Sequence, residues 1–143
     1  MKDRIFIDSN IFLYAFSDKD YDKQKVSKEI VLTSSIVSVQ VVNEVSKNLL
    51  YKLNFNENEI VKFVDSLYKK HIVAELTQTV FIRASNIRKK YHFSYYDSII
   101  VATALENECN VLYSEDMQHN QIIENKLKII DPFVNVLNGR YRS

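Results

Sequence analysis

The sequence contains a single glycine, Gly139, among its 143 residues. Phosphate-cradling loops depend on glycines that allow the backbone to close around the anion. The near absence of glycine therefore excludes a P-loop and a glycine-rich dinucleotide-binding loop. Any chemistry in this chain has to be performed by side chains.

Cysteine is equally scarce, because Cys109 is the only one. One cysteine cannot form an internal disulfide, and zinc clusters built from thiolates need more than one. We expect Cys109 to be a small, buried apolar residue beside a strand.

Long apolar segments are also missing from the sequence. No segment reaches the roughly 18 uninterrupted apolar residues of a membrane helix, and the N-terminus lacks the apolar region of a signal peptide. A hydrophobic content of 46% and a net charge of +1 indicate an ordinary globular protein with a hydrophobic core. We expect one domain, residues 1–143, located in the cytoplasm.

Short apolar segments alternate with longer segments of helical periodicity. The predicted strands cover residues 4–7, 36–37, 71–74, 111–113 and 127–130. Strands of this length separated by helices of ten or more residues predict a small central parallel β-sheet covered by helices on both faces. The predicted fold class is therefore an α/β/α sandwich.

The stretch 94–117 is the centre of this arrangement. Residues 98–105 are almost all apolar or small, which predicts a helix buried on most of its circumference. Asp97 lies at the entrance of that helix, and Glu115 and Asp116 lie just beyond the predicted strand 111–113. Asp97 also fits the last position of a helix capping box that begins at Ser94.

Two further acids belong to the first half of the chain. Asp8 directly follows the first predicted strand, where parallel α/β sheets bind ligands, although an Asp at this position is also an ordinary helix N-cap. Glu44 lies beside the apolar stripe of the helix that runs from Val41 to Leu53. From the local pattern alone, a site residue and a solvated boundary residue remain equally good interpretations of Glu44.

Together, Asp8, Glu44, Asp97 and Asp116 predict a metal site. Carboxylates gathered at one edge of a sheet repel each other, and a hard divalent cation relieves that repulsion. Oxygen ligands favour Mg²⁺ or Mn²⁺, whereas zinc would recruit His or Cys. Such a site indicates phosphoryl chemistry in which the metal orients a water molecule.

Four segments of the chain, taken in order, resemble the PIN-domain ribonucleases, and most closely the VapC toxins of type II toxin–antitoxin pairs. They are FIDSNIFLYAF, VSVQVVNEV, SYYDSIIVATALENECNVLYSEDM and IIDPF. The third segment is the most specific, and the resemblance extends over essentially the whole chain. It implies a PIN-like domain and a Mg²⁺- or Mn²⁺-dependent endoribonuclease.

The resemblance also implies roles for individual residues. Asp8 and Asp97 match the principal metal ligands, Glu44 matches a ligand or water-orienting acid, and Asp116 matches the fourth acid. Asn10 and Ser114 match polar positions that support the acids, and Glu115 could replace Asp116. The family relationship further implies an RNA substrate, a homodimer, and a cognate antitoxin that inserts a segment into the active-site groove.

Two alternatives remain open at this stage. A phosphatase of the haloacid dehalogenase type also places an Asp after its first strand, but it has a second Asp two residues later, where this chain has Asn10. A catalytically silent PIN-like module that binds RNA or protein is the other alternative. Silent modules are expected to lose site acids, and this chain retains all four. Because the net charge is only +1, binding RNA would need a local basic surface.

Overall fold

The strands predicted from the sequence form one central sheet in the computed structural model, which describes residues 2–137 and 140–141. Gly139 lies outside the described residues. The strands of the sheet are β1 (Ile5–Ile7), β2 (Ile36–Ser38), β3 (Ile72–Ala74), β4 (Val111–Tyr113), β5 (Ile122–Ile123) and β6 (Leu127–Ile130). A separate hairpin pairs β7 (Val136–Leu137) with β8 (Arg140–Tyr141).

The order of strands in the central sheet is β3-β2-β1-β4-β6-β5, and every neighbouring pair is parallel except β5 with β6. The predicted parallel sheet is thereby confirmed. The antiparallel edge strand β5 was not predicted, because Ile122 and Ile123 provide too short an apolar segment to be distinguished from a turn. Since β1 and β4 are neighbours with Ile7 opposite Tyr113, the residues that follow them lie side by side.

The helices are α1 (Ser9–Phe16), α2 (Tyr21–Val31), α3 (Val39–Tyr51), α4 (Glu57–Lys70), α5 (Gln78–Tyr91) and α6 (Tyr95–Glu106). A polar side chain caps the beginning of each one by accepting a hydrogen bond from a backbone N–H that has no partner inside the helix. These caps are Asp8, Asp20, Ser38, Asn56, Thr77 and Ser94.

The central part of helix α6 is buried on all sides, as its composition predicts. Every residue from Ser98 to Leu105 is buried. Ile100, Val101 and Ala104 join the main core around β1, β2 and β4, whereas Ile99 and Ala102 pack against α5. The helix therefore lies between the sheet and α5.

Cys109 is free and buried between α6 and β4, as expected. Burial raises the pKa of its thiol to about 12. Within residues 2–137 and 140–141, none of the helices is both long enough and apolar enough to cross a membrane.

Candidate active site

Asp8 lies at the carboxyl end of β1 and is 5% exposed. Its Oδ1 accepts a hydrogen bond from the backbone N–H of Ser9 at 2.7 Å, which makes Asp8 the N-cap of α1. Its Oδ2 accepts a hydrogen bond from Ser114 Oγ at 2.7 Å. The capping and site interpretations of Asp8 are therefore compatible, because one oxygen caps the helix while the other faces the end of β4.

Ser9 connects Asp8 to Glu44. The hydroxyl of Ser9 lies 3.0 Å from Glu44 Oε2 and 3.5 Å from Asp8 Oδ1. Gln40, one turn earlier on α3, donates to the other carboxylate oxygen of Glu44 at 3.1 Å. Glu44 is half-buried with both oxygens bonded, so it is directed into the site.

Asn10 holds the loop that follows β4. Its Nδ2 donates to Asp116 Oδ2 at 3.0 Å, and its Oδ1 accepts from the backbone N–H of Glu115 at 3.3 Å. Asn10 therefore supports Asp116. As an amide with both ends engaged, it cannot serve as the second acid of a haloacid-dehalogenase-type site.

The carboxylate of Glu115 is engaged elsewhere. Tyr14 Oη donates to Glu115 Oε1 at 2.7 Å, and Lys23 Nζ lies 2.5 Å from Glu115 Oε2. Both oxygens are held by residues of α1 and α2. This arrangement supports Asp116 over Glu115 as the fourth acid of the site.

Asp97 lies in the first turn of α6, where its backbone N–H donates to Ser94 Oγ at 3.2 Å. Burial raises the pKa of Asp97 above its ordinary value. Hydrogen bonding with Ser94 opposes that shift, and the charges of Asp116 and Glu44 reinforce it. This repulsion indicates that Asp97 lies near Asp116, which follows β4, and near Glu44 of α3.

Burial also raises the pKa of Asp8, to about 6. The hydrogen bonds from Ser114 and Ser9 oppose this shift, whereas the negative charges of Glu44 and Asp97 add to it. The negative charges of neighbouring acids thus act on both groups, those of Glu44 and Asp97 on Asp8 and those of Asp116 and Glu44 on Asp97. Hydrogen bonds link Asp8 through Ser9 to Glu44 and to Ser114, and Asn10 bonds to Asp116, whereas Asp97 is related to the other acids by the repulsion between their charges.

The donors available at this site are carboxylate, amide and hydroxyl oxygens, the set that Mg²⁺ and Mn²⁺ prefer. Among the described residues, however, no three Asp, Glu, His or Cys side chains are arranged closely enough to hold a metal ion. A cation with only one or two direct carboxylate ligands and several water ligands fits this arrangement, and it is the usual coordination of Mg²⁺.

Sequence reasoning missed two contributors to the site. Ser9 lies between Asp8 and Asn10 in the sequence, but no pattern indicates that its hydroxyl reaches Glu44. Lys23 belongs to a helix whose composition predicts a solvated surface, and its pairing with Glu115, across 92 residues, leaves no local signal.

The protein-family comparison identifies this fold. The model of the PIN domain matches residues 5–124. Comparison with curated proteins finds no match.

Solved structures give a consistent result at the level of the fold. The chain is similar to a DNA-bound VapBC complex from Salmonella typhimurium, with a TM-score of 0.66, 14% identity, and coverage of 92% of this chain and 99% of that one. It is also similar to a toxin–antitoxin complex from Klebsiella pneumoniae, with a TM-score of 0.65, 16% identity, and coverage of 90% of this chain and 97% of that one. A third similar structure is VapC20 from Mycobacterium tuberculosis, a toxin that cleaves the sarcin-ricin loop. Its TM-score is 0.60 at 14% identity, with coverage of 76% of this chain and 86% of that one. The matched segment covers most of the chain, which therefore belongs to the PIN-domain family.

Proposed function

We propose that this protein is a metal-dependent endoribonuclease of the VapC type, the toxin of a type II toxin–antitoxin pair. The observation that carries the proposal is the buried carboxylate of Asp8 at the end of β1, held by Ser114 and linked through Ser9 to Glu44, in a chain with the PIN fold. Several structurally similar proteins are toxins in complex with their antitoxins, which supports the same biological context.

In this proposal, Asp8 and Asp97 are the principal ligands of a Mg²⁺ or Mn²⁺ ion. When bound, the cation would polarise a water molecule and offset the charge that develops on the scissile phosphate. Glu44 is either a ligand or the residue that orients the attacking water, and Asp116 is the fourth acid. Because Ser9 lies within hydrogen-bonding distance of Glu44, it fixes the direction of that carboxylate.

The supporting residues keep the acids in position. Ser114 holds Asp8 from the end of β4, and Asn10 holds Asp116 from the first turn of α1. These bonds keep repelling carboxylates close together before a cation binds. Such preorganisation reduces the reorganisation needed at the moment of reaction.

The proposed partners are an RNA substrate, a cognate antitoxin and a second copy of the chain. Their support comes from family membership and from the toxin–antitoxin complexes with the same fold. The ends of the RNA fragments that the protein produces would identify the sequence of the RNA target.

The test is to incubate the purified protein with total cellular RNA, first with Mg²⁺ and then with excess chelator, and to map the fragment ends. We expect a discrete set of cuts that disappears under chelation and in D8N and D97N. D65N is the matched control, because Asp65 is an exposed acid of α4 paired with Lys69, and this variant should cut like the wild type.

Two outcomes would contradict the proposal. Cleavage that persists in a folded D8N protein would remove the catalytic role of the acids, and absence of cleavage of any RNA would favour a silent binding module. Because Asp97 lies in the capped first turn of α6, circular dichroism has to show that D97N is folded. D8N provides the independent second variant.

A further inference from the structure

Lys23 on α2 contacts Tyr14, Phe133 and Glu115, which lies in the segment next to the proposed metal site. Its Nζ is 2.5 Å from Glu115 Oε2 and 3.3 Å from Tyr14 Oη. The same Nζ lies 4.8 Å from the centre of the Tyr14 ring and 5.4 Å from that of Phe133. The side chains of Lys23 and Glu115 are 23% and 24% exposed, so the ion pair is largely shielded from solvent.

Glu115 occupies the middle of the segment Ser114–Asp116, whose other two members serve the proposed site. Ser114 donates to Asp8, and Asp116 accepts from Asn10. The segment is thus held at its two ends by Asp8 and Asn10 and at its middle residue by Lys23 and Tyr14. The adjacent carboxylates of Glu115 and Asp116 therefore have different hydrogen-bond partners.

We propose that Lys23 is a positioning residue that keeps Glu115 out of the acidic cluster and Asp116 in it, and thereby sets the affinity of the site for a divalent cation. This inference rests on the proposed function. Without Lys23, the Glu115 carboxylate would retain only the Tyr14 bond, and the peptide that carries Asp116 would lose its anchor on α2.

The direction in which removal of Lys23 changes the affinity for a divalent cation distinguishes a positioning role of Lys23 from a purely electrostatic one. Lys23 is a cation, so its removal makes the surroundings of the site more negative and, by Coulomb attraction alone, would strengthen the binding of a divalent cation. Loss of positioning predicts the opposite, because Asp116 would no longer be held where the cation needs it. A weaker site in a variant with one positive charge fewer is therefore specific evidence for positioning.

The experiment is calorimetric titration of Mn²⁺ into the full-length wild-type protein and its K23M, K23R and R83M variants. We expect K23M to bind about tenfold more weakly, the lower end of the range for partners that orient metal ligands. K23R retains the charge and should bind nearly as tightly as the wild type. Arg83 forms an ion pair with Glu106 between α5 and α6 at closely similar exposure, 27% and 26%, so R83M should leave Mn²⁺ binding unchanged.

RNA cleavage provides a second readout. If Lys23 acts through the metal site, the rate of K23M should return to the wild-type value at saturating Mn²⁺, whereas a lysine that contacts RNA directly would not be rescued in this way. If K23M fails to fold, K23Q replaces it, because glutamine keeps a polar group next to Glu115.

Three results would overturn the inference. Mn²⁺ binding by K23M or K23Q that equals or exceeds that of the wild type would show that Lys23 does not position the loop. An equal loss of affinity in R83M would show that any missing ion pair weakens the site. A wild-type protein that binds no Mn²⁺ would overturn the proposed function itself, and this inference with it.

Discussion

The hydroxyl of Ser114 donates a 2.7 Å hydrogen bond to the carboxylate of Asp8, which is 106 residues away in the sequence. The bond joins the ends of β1 and β4 and favours the ionised form of Asp8, so it lowers the pKa of that group against the effect of burial. We predict that S114A raises the pKa of Asp8 further. The decrease in stability of the metal-free protein with rising pH should therefore extend to higher pH and become larger in S114A, as measured by urea unfolding in chelator; an unchanged profile would contradict this.

The metal-free protein should lose stability as the pH rises through the range in which Asp8 ionises. Because the pKa of Asp8 is about 6 in the folded protein and 3.8 in the reference state, the folded state binds more protons between these values. The contribution of Asp8 to the free energy of unfolding should therefore decrease by about 3 kcal/mol as the pH rises from about 3 to about 7. The measurement is urea unfolding in chelator across that range.

D8N is the matching variant for this pH dependence. It should remove most of the decrease, leaving the part contributed by Asp97, whose pKa is also raised by burial. D65N, which alters an exposed acid of α4, should keep the wild-type dependence. A pH dependence of the same size in D8N and in the wild type would show that Asp8 is not held in a buried, repulsive environment.

Ser9 is expected to matter for catalysis although it is not an acid. S9A removes the hydroxyl that lies 3.0 Å from Glu44, so the carboxylate loses one of its two side-chain partners. We expect kcat/KM for RNA cleavage to fall by about tenfold, as for other residues that orient metal-site carboxylates.

The control for S9A lies on the same helix as Glu44. Ser46 has a buried hydroxyl without a hydrogen-bond partner among the described residues, so S46A removes the same group without breaking a bond. It should leave cleavage unchanged. Equal effects of S9A and S46A would show that Ser9 contributes only to packing.

Cys109 should be unreactive toward thiol reagents in the folded protein. It is 3% exposed, and burial raises the pKa of its thiol to about 12, so the reactive thiolate is almost absent at neutral pH. Reaction with an aromatic disulfide that releases a coloured thiolate should be slow in buffer and rapid in denaturant. Rapid labelling of the folded protein would contradict the packing of Cys109 between α6 and β4.

Much of the fold could be predicted from the sequence because its signals are local. The apolar residues of β4 and the continuous apolar stretch of α6 are visible in short windows, and the structure confirms the parallel sheet built from them. The pairing of β5 with β6 was missed, since two apolar residues after a polar turn carry little signal.

The site could be predicted only in part, because its contacts are long-range. The positions of Asp8 and Asp116 follow from the rule that ligands bind at the carboxyl ends of parallel strands. The choice between Glu115 and Asp116 does not follow from any such rule. It depends on Lys23 and Tyr14, whose distance from Glu115 in the sequence hides their contact with it.

The central claim, that Asp8 is a direct ligand of a divalent cation held beside the other acids, can be tested through the protons released on binding. Mg²⁺ should be titrated into the protein by calorimetry, in buffers of different ionisation enthalpy. Because the pKa of metal-free Asp8 is about 6, binding at pH 6 should release about half a proton or more, and release should be nearly absent at about pH 8. Binding of Mg²⁺ at pH 6 with no proton release, or with the same release in D8N, would contradict the account.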